Sequence, residues 1–340
     1  MPVRRDPTGT DGPTAKQARG RGWRRTSRGL YVPADVDGST PEQRIVEAAA
    51  VLPAYGGVTG WASLRWQGGV WFDGWASGGR EVLPVTLAVG DSTITSQEGI
   101  HVSEEAIPPS DLTVLDGLPI TTAVNAVSFL MRNASNERGA ARQLAMAAYS
   151  DLVSIDEVAA YAGQRPRTGL SSWFGIPRCR RGILLAEENC WSPAELDMVL
   201  IWTQDAGLPR PLCNHPVFDR SGHHIGTPDL LDPEAGVVGE YNGALHLEGG
   251  QRRKDREREE AFRRVGLECF TMLAGDSSNP NLMAARMHAA RSRALWAAPA
   301  TRDWTIELPP WWVPTFTVEQ RRNLDEGQRA RLLRLRLRAG

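Results

Sequence analysis

The stretch GTPDLLDPEAGVVGEYNGALH, residues 226–246, places charged side chains in what the hydrophobic pattern predicts to be a buried β-hairpin. Asp229 falls within an apolar strand predicted over residues 225–231, and Glu240 falls at the end of the next strand, residues 237–241. Burying a carboxylate costs several kcal/mol unless the charge is paired or binds a metal ion. The stretch therefore predicts either a metal site or an ion pair with an arginine.

The two carboxylates are expected to meet because a tight turn, DPEAG at residues 232–236, joins the two strands. Facing residues on neighbouring strands have Cβ atoms roughly 5 Å apart, and two carboxylates that close repel each other unless a cation lies between them. Oxygen ligands suit Mg²⁺ or Mn²⁺, with water completing the coordination shell. Such an ion would orient and acidify a water molecule for attack on a phosphodiester. In the alternative interpretation, Asp229 pairs with an arginine such as Arg258 and nothing is catalysed.

The elements around this hairpin predict an α/β domain with a mixed sheet and a helix on each side. A capping box, Ser192-Pro193-Ala194-Glu195, opens the first helix, and Glu195 is expected to bond back to the Ser192 amide. The other predicted elements are strands at residues 215–218, 223–231, 237–241 and 267–272, and helices at residues 251–265, 281–295 and 318–337.

The first half of the chain predicts a smaller α+β domain behind a basic arm. Up to Arg28 there are eight basic residues, two acidic residues and no sustained periodicity, which predicts a disordered segment that tracks phosphates or solubilises the chain. A short hairpin is predicted at residues 23–34. Further predictions are a helix at residues 137–149, helices beginning near residues 40, 59, 121 and 154, and strands at residues 82–89, 99–103 and 112–115. Thr40, Pro41 and Gln43 form the N-terminal signature of the first of these helices.

The predicted domain limits follow these patterns and a Gly/Arg/Pro-rich connector at residues 163–181. The arm and its wing-like hairpin are assigned to residues 1–37, and the α+β domain to residues 38–185. The α/β domain is assigned to residues 186–300, and a Trp/Pro segment with a basic helix to residues 301–340.

Composition argues against a membrane or secreted protein. The chain has 340 residues, of which 41% are hydrophobic and 23% charged, as in ordinary globular domains. No apolar run approaches the ~18–20 residues of a membrane span, and the N-terminus has no signal-peptide core. We therefore expect a cytoplasmic protein. Its four cysteines form no CxxC pair and are expected to be buried free thiols.

Several familiar motifs are missing from the sequence. It contains no GxxxxGK[ST] loop, no strand-associated GxGxxG and no GxSxG elbow. His223 and His224 occupy adjacent positions of a predicted strand, so they point to opposite faces and are poorly placed to share a metal. The stretch containing Asp229 and Glu240 therefore remains the main candidate site.

The residues of this stretch resemble a known nuclease superfamily. Pro228-Asp229 followed by Glu240-x-Asn242 resembles the PD-(D/E)XK core. The longer string, from SPAE through KDREREEAFRRVGLECF, resembles the very-short-patch-repair-like endonuclease branch, whose pattern is an Asp, then E-x-D-G-x-x-H, then D-x-x-R. The matching residues are Asp229, Glu240, Gly243, His246, Asp255 and Arg258, with Glu195 at the acidic position of the first helix.

This resemblance implies a restriction-endonuclease-like fold that acts on DNA. By the family, Asp229 and Glu240 would bind Mg²⁺ or Mn²⁺, and His246 would assist the attacking water or hold the phosphate. The sequence departs from the family at Asn242, where the family has Asp and the superfamily has Lys, and in its last strand, which lacks an Arg. Basic residues of the predicted helix at 251–265 are expected to clamp the DNA backbone: Arg252, Arg253, Lys254 and Arg258.

Residues of about 28–185 resemble, more loosely, the AbiEi-type antitoxin-like proteins of actinobacteria. The segments that carry the resemblance are RGLYVPA and GLPITTAVNAV. It implies a protein partner in a toxin–antitoxin or defence system.

Two functions from different classes are thus predicted. One is a metal-dependent DNA endonuclease acting in defence or repair. The other is a catalytically impaired, DNA-binding regulator or antitoxin-like protein that uses the nuclease fold as a scaffold.

Overall fold

A computed structural model describes residues 1–76, 78–90, 92–163, 174–243 and 249–339, with the side chains of residues 249–255, 338 and 339 left out. In the described chain, runs of consecutive strands are separated by single helices or by runs of consecutive helices. The strands are β1 (Val3–Arg4), β2 (Trp23–Ser27), β3 (Leu30–Pro33), β4 (Gly57–Thr59), β5 (Val85–Ala88), β6 (Ile100–Ser103), β7 (Leu112–Leu115), β8 (Leu118–Thr121), β9 (Leu212–Cys213), β10 (Val217–Asp219), β11 (His224–Gly226), β12 (Leu230–Asp232), β13 (Val237–Asn242), β14 (Glu268–Leu273) and β15 (Trp304–Thr305).

The chain combines these helices with sheets that include mixed ones, so the prediction of the α/β class is confirmed. They are α1 (Pro41–Ala49), α2 (Gly60–Trp66), α3 (Ala123–Asn133), α4 (Glu137–Tyr149), α5 (Ile155–Gly163), α6 (Ile176–Leu185), α7 (Pro193–Leu200), α8 (Gly249–Arg264), α9 (Pro280–Arg293), α10 (Val318–Arg322) and α11 (Glu326–Ala339). None of the helices in the described part of the chain has the length and apolar character needed to cross a membrane.

The chain forms two compact units, and neither unit is a single run of sequence. The first comprises Met1–Asn136 and Asp156–Arg180, and the second comprises Glu137–Ile155 and Arg181–Gly340. Helix α4 therefore belongs with the second unit, although the sequence places it among the elements of the first.

The first unit contains two sheets. The larger has five strands in the order β6-β5-β4-β8-β7, with parallel pairing of β4 with β8 and of β5 with β6. Helix α1 begins at Thr40, whose hydroxyl accepts a hydrogen bond from the Gln43 amide, as the sequence predicts.

The smaller sheet includes part of the basic arm, so the prediction of a disordered arm is wrong. Strand β1 pairs antiparallel with β3, with Val3 opposite Tyr31. The turn that follows β1 is closed by Asp6, whose carboxylate accepts hydrogen bonds from the amides of Thr8 and Thr10 at 2.9 Å. A side-chain-closed turn of this kind gives no periodic hydrophobic signal and is therefore hard to see in the sequence.

The second unit is built around a four-stranded sheet in the order β14-β13-β12-β9. Strands β12 and β13 are antiparallel, and β13 and β14 are parallel and joined through α8. A second sheet has the order β11-β10-β15. The predicted hairpins at residues 215–231 and 223–241 are therefore present as β10–β11 and β12–β13, but they lie in different sheets.

The single strand predicted over residues 223–231 is two strands. Strand β11 ends at Gly226 and β12 begins at Leu230, so Asp229 directly precedes a strand instead of lying inside one. Pro228 accounts for the break, because proline has no N–H for a sheet ladder.

Two glycines allow aromatic rings to pack on the strands of this unit. A Cβ at Gly226 would lie 2.7 Å from the ring of Phe262 on α8, and a Cβ at Gly239 would lie 2.4 Å from the ring of Phe270 on β14. Phe262 is fully buried, in a core cluster with Leu231 and Val238 among others. This contact fixes α8 beside the strands that carry Asp229 and Glu240.

The predicted helix at residues 318–337 is also divided, into α10 and α11. The Asp325 carboxylate accepts a hydrogen bond from the Gln328 amide at 2.8 Å, which starts the second helix. The four cysteines are buried and free, as predicted.

Candidate functional site

Asp229 is buried at the start of β12, with 4% of its surface exposed. Its Oδ2 accepts a hydrogen bond from the Tyr241 backbone N–H at 2.6 Å. Since Leu230 pairs with Gly239 in the antiparallel ladder, continuing the register places Asp229 opposite Glu240. The hairpin therefore brings the two predicted ligands to neighbouring strand positions.

Glu195 is the third carboxylate of the predicted site, and it is buried like Asp229, whereas Glu240 is partly exposed. The Ser192 hydroxyl accepts a hydrogen bond from the Glu195 amide at 3.2 Å, so the predicted N-cap is present. The Glu195 side chain does not complete the predicted capping box. Its Oε2 accepts hydrogen bonds from the Trp191 amide at 2.7 Å and from Asn214 Nδ2 at 2.6 Å. The Glu195 carboxylate points away from the Ser192 amide because Asn214, close in the fold but distant in sequence, supplies a second hydrogen-bond donor beside the Trp191 amide.

The charges of these side chains influence one another. Burial raises the pKa of Asp229 well above its usual range, and the carboxylates of Glu195 and Glu240 raise it further. The Tyr241 amide and the Arg258 guanidinium act in the opposite direction without cancelling this rise. Burial also raises the pKa of Glu195, against the hydrogen bonds from Trp191 and Asn214 and the charge of the Arg336 guanidinium. The three carboxylates thus form one electrostatic site with an excess of negative charge.

Arg258 supplies positive charge to this site from helix α8. Its Nη2 lies 2.5 Å from Glu240 Oε2, and only 22% and 15% of the two side chains are exposed. Arg258 is one turn before the buried Phe262, so the two residues lie on the same face of α8. The interpretation without catalysis pairs this arginine with Asp229; the structure shows an ion pair of Arg258 with Glu240, and its charge also lowers the pKa of Asp229.

Helix α4 positions the helix that carries Glu195. Arg142 Nη2 lies 2.5 Å from Asp197 Oδ1 on α7, and Arg138 Nη1 lies 2.8 Å from Asp205 Oδ2 just beyond it. These contacts join segments more than fifty residues apart in the chain, so no local sequence pattern predicts them.

Asn214 is a site residue that sequence reasoning missed. It is buried, has a positive φ of 46°, and donates from Nδ2 to both Glu195 and the Asn189 carbonyl. Asparagine tolerates the left-handed conformation better than most residues. The available signal was an asparagine directly after a short apolar pair, Leu212 and Cys213, which resembles an ordinary turn.

The other predicted site residues are described in part. Asn242 lies on β13, two residues after Glu240 and hence on the same face of the strand, and Gly243 follows the end of β13. His246 lies outside the described residues. Arg252, Arg253, Lys254 and Asp255 lie on α8, and their side chains are likewise outside what the structure describes.

Within the described ranges, no three His, Cys, Asp or Glu side chains are grouped so that they could hold a metal ion. A site made by Asp229 and Glu240 would therefore need water or substrate oxygens to complete its shell. Mg²⁺ is often bound in this way, through one or two carboxylates plus substrate phosphates. The donor chemistry of the two carboxylates fits such an ion.

Comparisons of the chain with family models, curated proteins and solved structures give no match.

Proposed function

We propose that the second unit is a metal-dependent nuclease that hydrolyses phosphodiester bonds in DNA, with Asp229 and Glu240 as ligands of Mg²⁺ or Mn²⁺. The observation that carries the proposal is the raised pKa of Asp229, caused by burial and by the nearby Glu195 and Glu240 carboxylates. A buried group whose pKa is shifted by specific charged neighbours is typical of a functional site. A divalent cation would offset this excess of negative charge.

The order of elements supports a restriction-endonuclease-like core for this unit. Helix α7 carries Glu195, Asp229 directly precedes β12, Glu240 lies on β13, and α8 leads to the parallel strand β14. This agrees with the resemblance of the sequence to PD-(D/E)XK nucleases.

The residues have distinct parts in the proposed reaction. When bound, the metal ion would polarise the phosphate and lower the pKa of a bound water. Asp229 would release its proton as the ion binds, while the Tyr241 amide holds one of its carboxylate oxygens in place. Glu195, held by hydrogen bonds from Trp191 and Asn214, would contribute negative charge to the site. Asn242 would face the substrate as a neutral group beside Glu240.

A second candidate, a DNA-binding protein with an impaired site, is favoured by one specific observation. The ion pair between Arg258 and Glu240 compensates one of the two proposed ligands without a metal. The neutral Asn242 also adds no charge where the resembling family has an aspartate. In this alternative the protein would act as a regulator, with a protein partner in a defence system.

Cleavage assays can separate the two candidates. Supercoiled and single-stranded DNA are incubated with the native protein in Mg²⁺, Mn²⁺ or EDTA, beside Asp229→Asn and the exposed control Asp303→Asn. We expect slow cleavage that needs the metal, is retained in the control and falls to the EDTA level in Asp229→Asn. Equal inertness of the native protein and Asp229→Asn, with DNA still bound in EDTA, would support the regulator instead.

A further inference from the structure

A pocket of about 290 Å³ lies in the second unit, between strand β11 and the C-terminal helix α11. Its volume is close to the lower end of the roughly 300–1,000 Å³ common for small-ligand sites. The side chains that matter for its chemistry are His224, Trp311, Trp312, Arg331, Arg334 and Leu332. None of them belongs to the carboxylate site.

The tryptophan pair gives the pocket a fixed wall and an exposed ring. Trp312 packs edge-on against Phe218, with ring centroids 5.2 Å apart, and tilts against His224 at 4.9 Å. Trp311 contacts Trp312 at 5.6 Å and 63°, yet 58% of Trp311 remains exposed. An indole held at its edge and open to solvent can accept a flat ring by stacking.

The rim of the pocket is positively charged. Arg331 and Arg334 are both exposed, and in the described part of the chain no acidic side chain forms an ion pair with either of them. By contrast, Arg321 and Arg329 in the same C-terminal segment pair with Asp151 at 2.6 and 3.0 Å. Two uncompensated guanidinium groups beside a tryptophan favour a ligand that is anionic as well as aromatic.

We propose that this pocket binds a nucleotide unit, with the base on Trp311 and the phosphate on Arg331 and Arg334. The base stacks on the indole, as bases do on aromatic side chains of single-strand-binding proteins. An apolar peptide would use the tryptophans but leave both arginines without a partner. The ligand chemistry has two sources, a free nucleotide or an unstacked base of a DNA strand.

The chain connects this pocket to the carboxylate site. His224 in the pocket wall lies five residues before Asp229, so their Cα atoms are at most about 18 Å apart. The His224 ring nitrogen Nε2 and the Thr227 hydroxyl are 3.0 Å apart, which ties the wall to the segment leading to Asp229. A strand held by one base in the pocket would thus remain near the proposed nuclease site, although binding in the pocket does not depend on cleavage.

The test is fluorescence anisotropy of a labelled, single-stranded oligothymidylate of about twelve nucleotides with the full-length protein in EDTA. Free dTMP and a tyrosine-containing acidic peptide serve as competitors. The variants are Trp311→Ala, with the exposed Trp296→Ala as its matched control, and Arg331→Gln/Arg334→Gln, with Arg293→Gln as the control for a lost surface charge. Circular dichroism checks that each variant folds.

We expect Trp311→Ala to weaken oligonucleotide binding by roughly 5- to 150-fold, while Trp296→Ala binds as the native protein does. The double arginine variant should lower the slope of log Kd against log salt by about 1.4, for two lost single-strand phosphate contacts. Competition by dTMP would assign the pocket to free nucleotides as well as strands, and its absence would restrict it to strands; both support the proposal.

Two outcomes would overturn the proposal. One is binding by Trp311→Ala and by the double arginine variant that stays within about twofold of the native protein. The other is displacement of the oligonucleotide by the acidic peptide at concentrations where dTMP has no effect. Because the assay contains EDTA, either result is independent of whether Asp229 and Glu240 support cleavage.

Discussion

The Tyr241 backbone N–H donates a 2.6 Å hydrogen bond to Asp229 across the β12–β13 pair. This bond fixes an acidic side chain beside Glu240, which is itself paired with Arg258 at 2.5 Å. The buried hairpin thus has an arginine as partner for one carboxylate, while the pKa of the other stays raised. Two guanidinium groups, Arg258 beside Asp229 and Arg336 beside Glu195, act on three carboxylates, so the site remains short of positive charge.

Asp229→Asn is expected to stabilise the metal-free protein at neutral pH. Because the folded-state pKa is raised, the folded protein binds the Asp229 proton more tightly than the unfolded chain does. The free energy of unfolding therefore falls as pH rises from about 3.9, the unfolded value, to the folded-state pKa. Each unit of the rise corresponds to about 1.4 kcal/mol. Urea unfolding at pH 4–8 should show a higher free energy of unfolding for the variant than for the native protein. This difference should shrink toward pH 4.

Asp232→Asn is the matched control and should have the opposite effect. Asp232 is equally buried on β12, but its Oδ2 lies 2.8 Å from Arg291 Nε and its Oδ1 accepts the Glu234 amide at 3.0 Å. Loss of a charge-assisted bond of this kind should cost roughly 1–3 kcal/mol. Destabilisation by both substitutions alike would contradict the claim that Asp229 lacks a compensating charge.

Glu195 should tolerate glutamine but not alanine. Both of its hydrogen bonds converge on Oε2, so the Oε1 of a glutamine can accept the same two donors. Thermal unfolding should show Glu195→Gln within about 0.5 kcal/mol of the native protein, and Glu195→Ala less stable by roughly 1–3 kcal/mol. If the charge supports the metal site, Glu195→Gln should also cleave DNA more slowly. Full activity in Glu195→Gln would reduce this residue to a structural role.

Arg258→Gln tests whether a cation can take the place of the guanidinium. Without Arg258, the Glu240 carboxylate loses its ion pair, and we expect the metal-free protein to lose roughly 1–3 kcal/mol. Added Mn²⁺ should then raise the melting temperature more in the variant than in the native protein. Arg263→Gln is the control, because its pair with Glu259 is exposed and should change stability by less than about 0.5 kcal/mol. The same response to Mn²⁺ in all three proteins would argue against a metal site at Glu240.

Asn242→Asp should accelerate cleavage. Asn242 lies on the same face of β13 as Glu240, two residues on, and aspartate there restores the pattern of the resembling family. General base catalysis commonly contributes ~10²–10⁴-fold, so an increase toward that order is expected if the added carboxylate acts as a base. The rates of DNA cleavage with Mn²⁺ are compared among native, Asn242→Asp and Asp229→Asn/Asn242→Asp proteins. An inactive Asn242→Asp would favour the regulator.

The features that could be predicted from sequence are those set by neighbouring residues. The caps at Thr40 and Ser192 and the full extent of α4, Glu137–Tyr149, follow from local patterns and are present in the structure. So is the β12–β13 hairpin that joins Asp229 to Glu240. In each case the signal lies within a few residues of the element it specifies.

The features that could not be predicted depend on contacts between distant residues. Asn214 donates a hydrogen bond to Glu195, nineteen positions away in the sequence. Arg258 lies beside Glu240 because Phe262, on the same helix, packs on Gly226. Pro228 is a local signal for a strand break, but the apolar residues on both sides of it favour one continuous strand. The single predicted strand at residues 223–231 follows from that apolar run. Strand β8, Leu118–Thr121, is not among the predicted strands, because four residues give too short a hydrophobic pattern.

Because α4 belongs to the second unit, a single truncation of the chain cannot yield that unit. A recombinant fragment starting at Arg181 would lack Arg138 and Arg142, and Asp205 and Asp197 would lose their partners. It would also expose the surface that the alanine-rich helix covers. Co-expression of residues 137–155 as a separate peptide should rescue the solubility of such a fragment, so that the two pieces reassemble as a split protein.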